Sequence, residues 1–211
     1  MNMDLTLWIS FIGTVLILVV TPGPSVLLVT ANSMKYGTKK TIGTILGDLS
    51  ANLLQIILAS AGLASIVISS GELFQLIKWF GVVYLIFIGV KKIITIPKIE
   101  LKKDNFNNRS FPNLFTEGFL MSAANPKAIV FFAALFPLFI NETLPFIPQV
   151  IILGITFLVL DGISLFVFTH FAMKLKEYLE NKEKVHLQNK IVGSLLILSG
   201  VMLSFVKRTN I

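Results

Sequence analysis

Apolar residues run along this chain in stretches long enough to cross a bilayer, and polar residues are confined to the gaps between them and to a few points inside them. A helix needs about 20 predominantly apolar residues to span the hydrocarbon core. Hydropathy, punctuated by Gly, Pro and charge, predicts six such helices near residues 5–32, 41–69, 73–94, 114–140, 148–173 and 190–206. The last is the shortest, about 17 residues, at the lower limit for a crossing. Because these spans fill nearly the whole length, the pattern predicts an all-α integral membrane protein with one transmembrane domain over residues 1–211.

Composition agrees. Of 211 residues, 55 % are hydrophobic and 14 % charged, where soluble domains carry roughly 25 % charged residues. The mean hydropathy is +0.83. The absence of cysteine excludes disulfides, thiol redox chemistry and Cys-based metal sites. The opening MNMDLTLW lacks the basic region of a signal peptide, so the N-terminus is read as a retained first span.

Net charge is +7, but the eighteen Lys and Arg lie between the apolar runs and form no single basic face, which argues against nucleic acid as a partner. Their placement reports topology. Lys35, Lys39 and Lys40 follow the first span, six basic residues from Lys91 to Arg109 follow the third, and five from Lys174 to Lys190 follow the fifth. The loops containing SSGE and NETLP hold none. The positive-inside rule puts the three basic loops in the cytoplasm and both termini outside, with Trp8 and Trp79 at the outer interface. Lys207 and Arg208 count weakly against this orientation.

Two spans are interrupted where no water is at hand to solvate a broken backbone. Thr21-Pro22-Gly23-Pro24 and Asn125-Pro126 sit at similar depths in the first and fourth spans. At the same offset Phe11 falls on Phe115 and Val26 on Val130. Each half has three spans, so the second is inserted upside down relative to the first. The predicted architecture is therefore an inverted 3+3 repeat with two broken helices, its halves about 1–95 and 114–206 joined by a basic cytoplasmic linker about 96–113. Secondary transporters often follow this plan, with the substrate site at the midplane between interrupted helices. Proline costs little at the first position of a helix, and Thr21 and Asn125 are suitable N-caps before Pro22 and Pro126. Each proline is expected to start a half-helix whose N–H groups suit an anion such as a carboxylate.

Three charges lie deep within spans. Lys127 stands about 20 Å along the fourth span, too far to snorkel; an unpaired charge there costs roughly 3–15 kcal/mol. Asp48 and Asp161 are its candidate partners, unless it holds the carboxylate of a substrate. Thr44, Asp48, Asn52 and Gln55 follow helical spacing and give the second span one polar stripe. Beside it Gly43, Gly47 and Ala51 form a small-residue ridge for close helix approach. Ser164 follows Asp161 by one turn. Either Asp is a candidate carrier of a coupled proton. His170, His186 and Tyr84 are weaker candidates: His170 is read as interfacial, and His186 as part of a charged loop. Phe131, Phe132, Phe136 and Phe139 are read as packing residues.

TPGPSVLLVTANSMKYGTKKTIGTILGD resembles the N-terminal signature of the LysE/RhtB family of amino-acid exporters, and FTEGFLMSAANPKAIVFFAALFPLFI resembles its second signature. The two occur in the right order, about a hundred residues apart. The resemblance implies efflux of an amino acid or close derivative, by exchange with protons, across a bacterial or archaeal cytoplasmic membrane. By motif match it carries functional expectation onto Thr21, Pro22, Gly23, Pro24, Asp48, Asn125, Pro126 and Lys127, and more softly onto Asp161. Ser25 departs from the pattern, where many relatives have Asn.

The reading is a multi-pass secondary transporter. Its expected substrate-binding or ion-coupling set is Thr21, Pro22, Gly23, Pro24, Asp48, Asn52, Asn125, Pro126, Lys127 and Asp161. No catalytic residues, metal ligands or cofactor are expected; the partners are a small amino acid, protons and the lipid bilayer, with a homodimer left open. The alternative is a divalent-cation exporter, disfavoured by the nearby Lys and by the separation of the two Asp. A membrane hydrolase would need a Ser/His or paired-Asp motif that the chain lacks.

Overall fold

The computed structural model describes residues 3–69, 109–141 and 143–172, and single positions or short groups at 79, 82–83, 86–87, 89–91, 93–94, 174, 183, 186–187, 189–191, 193–194, 197–198 and 201. Among the described residues the fold is all helical, without strands. The third and sixth predicted spans, and Tyr84, lie wholly or largely outside the described residues.

The first predicted span is two helices. α1 (Leu5–Val20) is capped by Asp4, whose carboxylate accepts from the Thr6 and Leu7 N–H groups at 2.8 and 3.1 Å. α2 (Pro24–Tyr36) leaves it at an angle of 51°. Thr21 and Gly23 are both extended, as residues before proline must be, and that separates the helices. Gly37, at φ +82°, turns the chain directly into α3 (Thr38–Ser69), a conformation in which a side chain would be strained.

In the second half, α4 (Phe111–Ala123) stops at Ala124, and a short α5 (Pro126–Val130) begins after Asn125. The predicted helix to residue 140 does not continue as α-helix: Phe131–Leu135 is a π-helical turn and Phe136–Phe139 a 3₁₀ turn. Pro137 accounts for the change, since it has no N–H to donate and its ring crowds the preceding turn. α6 (Phe146–His170) is unbroken over 25 residues and strongly apolar. By length and apolarity α3 and α6 can each cross a membrane, and the bent pair α1/α2 makes a third crossing if taken as one span.

Two kinds of packing hold these elements. α3 and α4 touch backbone to backbone: a Cβ on Gly47 would collide with the Phe115 carbonyl, one on Gly118 with the Thr44 carbonyl, and one on Gly43 would lie 3.1 Å from the Phe111 carbonyl. The ridge read from the sequence is thus a true close-approach face. Elsewhere aromatic rings fill the interior. Phe11, Phe131, Phe132, Phe136 and Phe157 are fully or almost fully buried, with Phe132 and Phe157 edge to face at 4.7 Å between centroids. The irregular turns after α5 deliver three of these rings.

Ile151, Ile155, Val159 and Ile163 recur every fourth residue on the exposed face of α6. Such an apolar exterior suits lipid. Trp8 is tied inward, its Nε1 donating to Thr156 Oγ1 at 3.0 Å. Gln149, fully buried, donates to the carbonyls of Asn141, Leu144 and Pro145 and accepts from the Asn141 N–H, closing the turn before α6. His186 is helical rather than part of a loop, as are Glu183, Leu187 and Asn189, so helix is present ahead of the predicted start at 190. Gly89 and Gly193 meet face to face: a Cβ on either would lie 2.6 or 2.5 Å from the other's carbonyl oxygen.

Candidate functional site

At the interruption the Thr21 N–H still reaches the Leu18 carbonyl at 3.3 Å, and the remaining acceptor capacity of this buried helix end must find donors elsewhere. Thr21 Oγ1 donates to the Ile17 carbonyl at 2.6 Å, and Ser164 Oγ from α6 donates to the Val19 carbonyl at 2.9 Å. The Lys127 ammonium, from the other half of the chain, donates to the Leu18 carbonyl and, at 2.9 Å, to the Thr21 carbonyl. A cation at the negative end of the α1 dipole is favourably placed. The lysine that the sequence puts beside one helix start therefore serves the end of another helix.

This corrects two expectations. Thr21 is the C-cap of α1 and not the N-cap of a half-helix, and Pro24, not Pro22, is the first residue of α2, with Gly23 before it and no side-chain cap. With only Gly23 between the two prolines, both preceding residues are forced out of the helical region, so α2 cannot begin until the second. The second break is as expected: Asn125 Oδ1 accepts from the Lys127 N–H at 3.0 Å, and Pro126 opens α5.

The carbonyls at the end of α4 are served from α3 as well as from the turn itself, where the Asn125 N–H donates to the Ser122 carbonyl at 2.9 Å. Gln55 Nε2 donates to the Ser122 and Ala123 carbonyls at 3.1 and 3.4 Å. One turn earlier on α3, the Asn52 amide nitrogen lies 2.9 Å from Asp161 Oδ2 and 3.2 Å from Asp48 Oδ2, while its carbonyl oxygen accepts from Ser122 Oγ at 3.0 Å. One amide thus bridges two carboxylates and a hydroxyl. The other oxygen of Asp48, Oδ1, is buried with no hydrogen-bond partner of normal geometry, although the Ser25 and Ser122 hydroxyls face the same carboxylate.

Gly23, Asp48, Asn52, Asn125, Lys127 and Asp161 all line one cavity between the two breaks. Thr21 joins through its carbonyl; Pro22, Pro24 and Pro126 shape the backbone around it. At about 30 Å³ it has room for a water or two and none for an amino acid, so a solute enters only if the surrounding helices part. Ser122 completes the cavity and was not foreseen; its signal is a small polar residue one turn before the Asn125 cap. Ser25, read only as a departure from a pattern, lies within reach of Asn125 Nδ2 at 3.4 Å.

A second polar cluster was also missed. Where α2, α3 and α4 meet, Asn32 Nδ2 donates to Thr44 Oγ1 at 3.0 Å and to Glu117 Oε2 at 3.2 Å, and Arg109 pairs with the same Glu117 oxygen at 2.9 Å. Among the described residues no group of three or more His, Cys, Asp or Glu is arranged to hold a metal ion.

The sequence pattern of the family described as LysE type translocator matches residues 16–206. An uncharacterized membrane protein of Vibrio cholerae is 31 % identical over 205 residues, covering 97 % of this chain and all of that protein. The homoserine/homoserine lactone efflux protein of Salmonella typhimurium is 29 % identical over 197 residues, 93 % of this chain and 95 % of its own length. The membrane protein YrhP of Bacillus subtilis is 27 % identical over 202 residues, 92 % of this chain and 96 % of its own length. No solved structure matches. With the family pattern running from the last five residues of α1 to residue 206, across both breaks and every cavity-lining residue, this membrane protein belongs to the LysE type translocator family.

Proposed function

We propose that the protein exports an amino acid or a close derivative across the cytoplasmic membrane as a proton-coupled secondary transporter of six spans. The observation that carries this reading is the meeting of two broken helices at one buried cavity holding a fixed cation and two carboxylates, a set that complements a zwitterion. The ammonium of the cargo meets Asp48 and Asp161. Its carboxylate meets the uncapped first turn of α2, where N–H dipoles favour an anion. One of the two carboxylates also carries the exchanged proton. A homoserine-like cargo is the first choice because a relative of similar length is named for it.

The inverted repeat is supported by a reciprocal contact. Pro22 and Pro126 are 104 residues apart, and so are Gly89 and Gly193, and Ile93 and Ile197. A Cβ on Gly89 would meet Ile197 at 2.7 Å, and one on Gly193 would meet Ile93 at 2.6 Å. Such exchange is what a two-fold axis between halves produces. The two halves then rock about the cavity, with the termini outside and the basic loops inside.

Metabolite profiling of the medium from overproducing cells, followed by efflux of labelled L-homoserine, tests the reading. Accumulation of one amino acid or derivative outside is expected. Unchanged amino-acid levels together with raised tolerance to a divalent metal would replace it with cation export, which Lys127 beside the carboxylates disfavours.

A further inference from the structure

Resting on the transport reading above, we propose that α2 is the gate by which cargo reaches the cavity, swinging between Gly23 and Gly37 and latched shut by the hydrogen bonds of Asn32 to Thr44 and Glu117.

The two ends of the cavity are sealed unequally. On the side of the α1 N-terminus, the buried rings of Phe11, Phe131, Phe132, Phe136 and Phe157 interlock in one core. On the side of Lys35, which the transport reading makes cytoplasmic, a separate core is built, among the described residues, on Val26, Val29, Ile45 and Leu165. Two of these four belong to α2. Opening that end exposes less apolar surface, and the cost of exposure follows the area.

α3 and α4 are locked together there, because they meet backbone to backbone at Gly43, Gly47 and Gly118. α2, by contrast, is held by side chains: Asn32 Nδ2 donates to Thr44 Oγ1 and Glu117 Oε2, and Ser33 Oγ donates to the Thr169 carbonyl at 2.7 Å. A glycine stands at each end of the helix. Gly23 precedes α2 without a side-chain cap, at the 51° bend from α1, and Gly37 leaves it at φ +82°. Residues at the ends of elements are where hinge motion is absorbed. The Thr21 carbonyl, just before the first hinge, is pinned by Lys127, so the end of α1 stays in place while α2 moves. Ser25 and Val26, in the first turn of α2, form part of the cavity wall, and displacing them opens the cavity directly. Closure also strands a polar atom: Thr169 Oγ1, in the residue that Ser33 bonds, is buried with no hydrogen-bond partner among the described residues, and water reaches it when α2 lifts.

The chain contains no cysteine, so Ser25→Cys places a single thiol behind the gate. Right-side-out and everted membrane vesicles carrying the full-length variant are treated with the impermeant reagent 2-(trimethylammonium)ethyl methanethiosulfonate, which forms a mixed disulfide with the thiol and releases methanesulfinate. The labelled fraction is read by mass on the purified protein. Lys39→Cys, exposed at the start of α3, marks which vesicles present the Lys35 face. Reaction at Ser25→Cys is expected from that face. It should be about 10-fold or more faster when Asn32→Asp sets a second carboxylate against Glu117, the factor that one lost hydrogen bond to a charged group makes in an opening equilibrium. Adding Glu117→Gln to Asn32→Asp exchanges donor and acceptor across the latch and should return the rate to that of Ser25→Cys alone. Val15→Cys, fully buried in the aromatic core, should stay unreactive from both faces, with Asn32→Asp present or not. Ser122→Cys, also on the cavity wall, repeats the measurement should Ser25→Cys fold poorly.

An unchanged rate with Asn32→Asp, acceleration from the opposite face, a swapped pair that stays fast, or reaction at Val15→Cys would overturn the gate; the last would mean that Asn32→Asp loosens the whole fold. The readout needs no cargo. Vesicles that move no labelled amino acid while the thiol responds as expected would reject the transport reading and leave the gate standing.

Discussion

Asn52 on α3 donates to Asp161 on α6 across 2.9 Å, and the same nitrogen reaches Asp48 one turn back on its own helix. That single amide joins a helix of the first half to a helix of the second and holds two carboxylates side by side. Asn52→Leu removes the bridge and leaves the Ser122 hydroxyl and both carboxylates short of a partner. Each buried polar group so stranded costs about 1–3 kcal/mol. The expected outcome is a lower melting temperature in detergent and at least a tenfold loss of efflux, about the 1.4 kcal/mol equivalent of one such group. Unchanged efflux would show that the bridge plays no part in transport.

Lys127→Met keeps the aliphatic stem but removes the donors to the Leu18 and Thr21 carbonyls. Export should be abolished while membrane insertion, read by fractionation and gel filtration, persists. Lys127→Arg keeps a charge with a different donor geometry and should recover only part of the activity. Normal transport by the Met variant in vesicles would remove Lys127 from the mechanism.

Gly47→Ala and Gly118→Ala should each destabilise the protein by about 1–3 kcal/mol or more, because the added carbon meets backbone, which cannot rotate away. Gly62→Ala is the matched control on α3: nothing lies within 4 Å of its added carbon. It should be neutral or slightly stabilising, since Ala favours helix by about 1 kcal/mol over Gly. Thermal melts of the three variants in one detergent decide the matter.

Glu117→Gln separates two contributions at the junction of α2, α3 and α4. The Arg109–Glu117 pair is 40 % and 29 % exposed, so its loss should cost at most about 1 kcal/mol. The Gln side chain still accepts from Asn32, which is buried. Glu117→Ala also removes one of the two acceptors of the Asn32 amide, leaving only Thr44 Oγ1, and should be the more damaging of the two by about 1 kcal/mol. Equal stabilities would mean that Asn32 gains nothing from Glu117.

Much of the site was legible because its causes are local. Proline ends a helix within one turn, and Asn before proline starts another, so the Asn125-Pro126 break could be read directly. The spacing of Thr44, Asp48, Asn52 and Gln55 put four polar groups on one face of α3, and Gly43 and Gly47 marked the face that α4 approaches. The same local rules, applied two residues too early, misassigned the start of α2 to Pro22 and made Thr21 an N-cap.

Hydropathy, glycine, proline and helical periodicity act over a few residues, so the sequence alone determined where α1/α2, α3 and α6 run, where the chain breaks at Thr21–Gly23 and Asn125, and which side chains of α3 share a face. Only the tertiary structure decided what each broken end bonds to. The Leu18 carbonyl finds its ammonium 109 residues away, the Val19 carbonyl its hydroxyl 145 residues away, and Asn52 the second of its two carboxylates across 109 residues. An orphaned backbone group accepts any donor that packing brings within reach, and no rule of local spacing says which helix that will be.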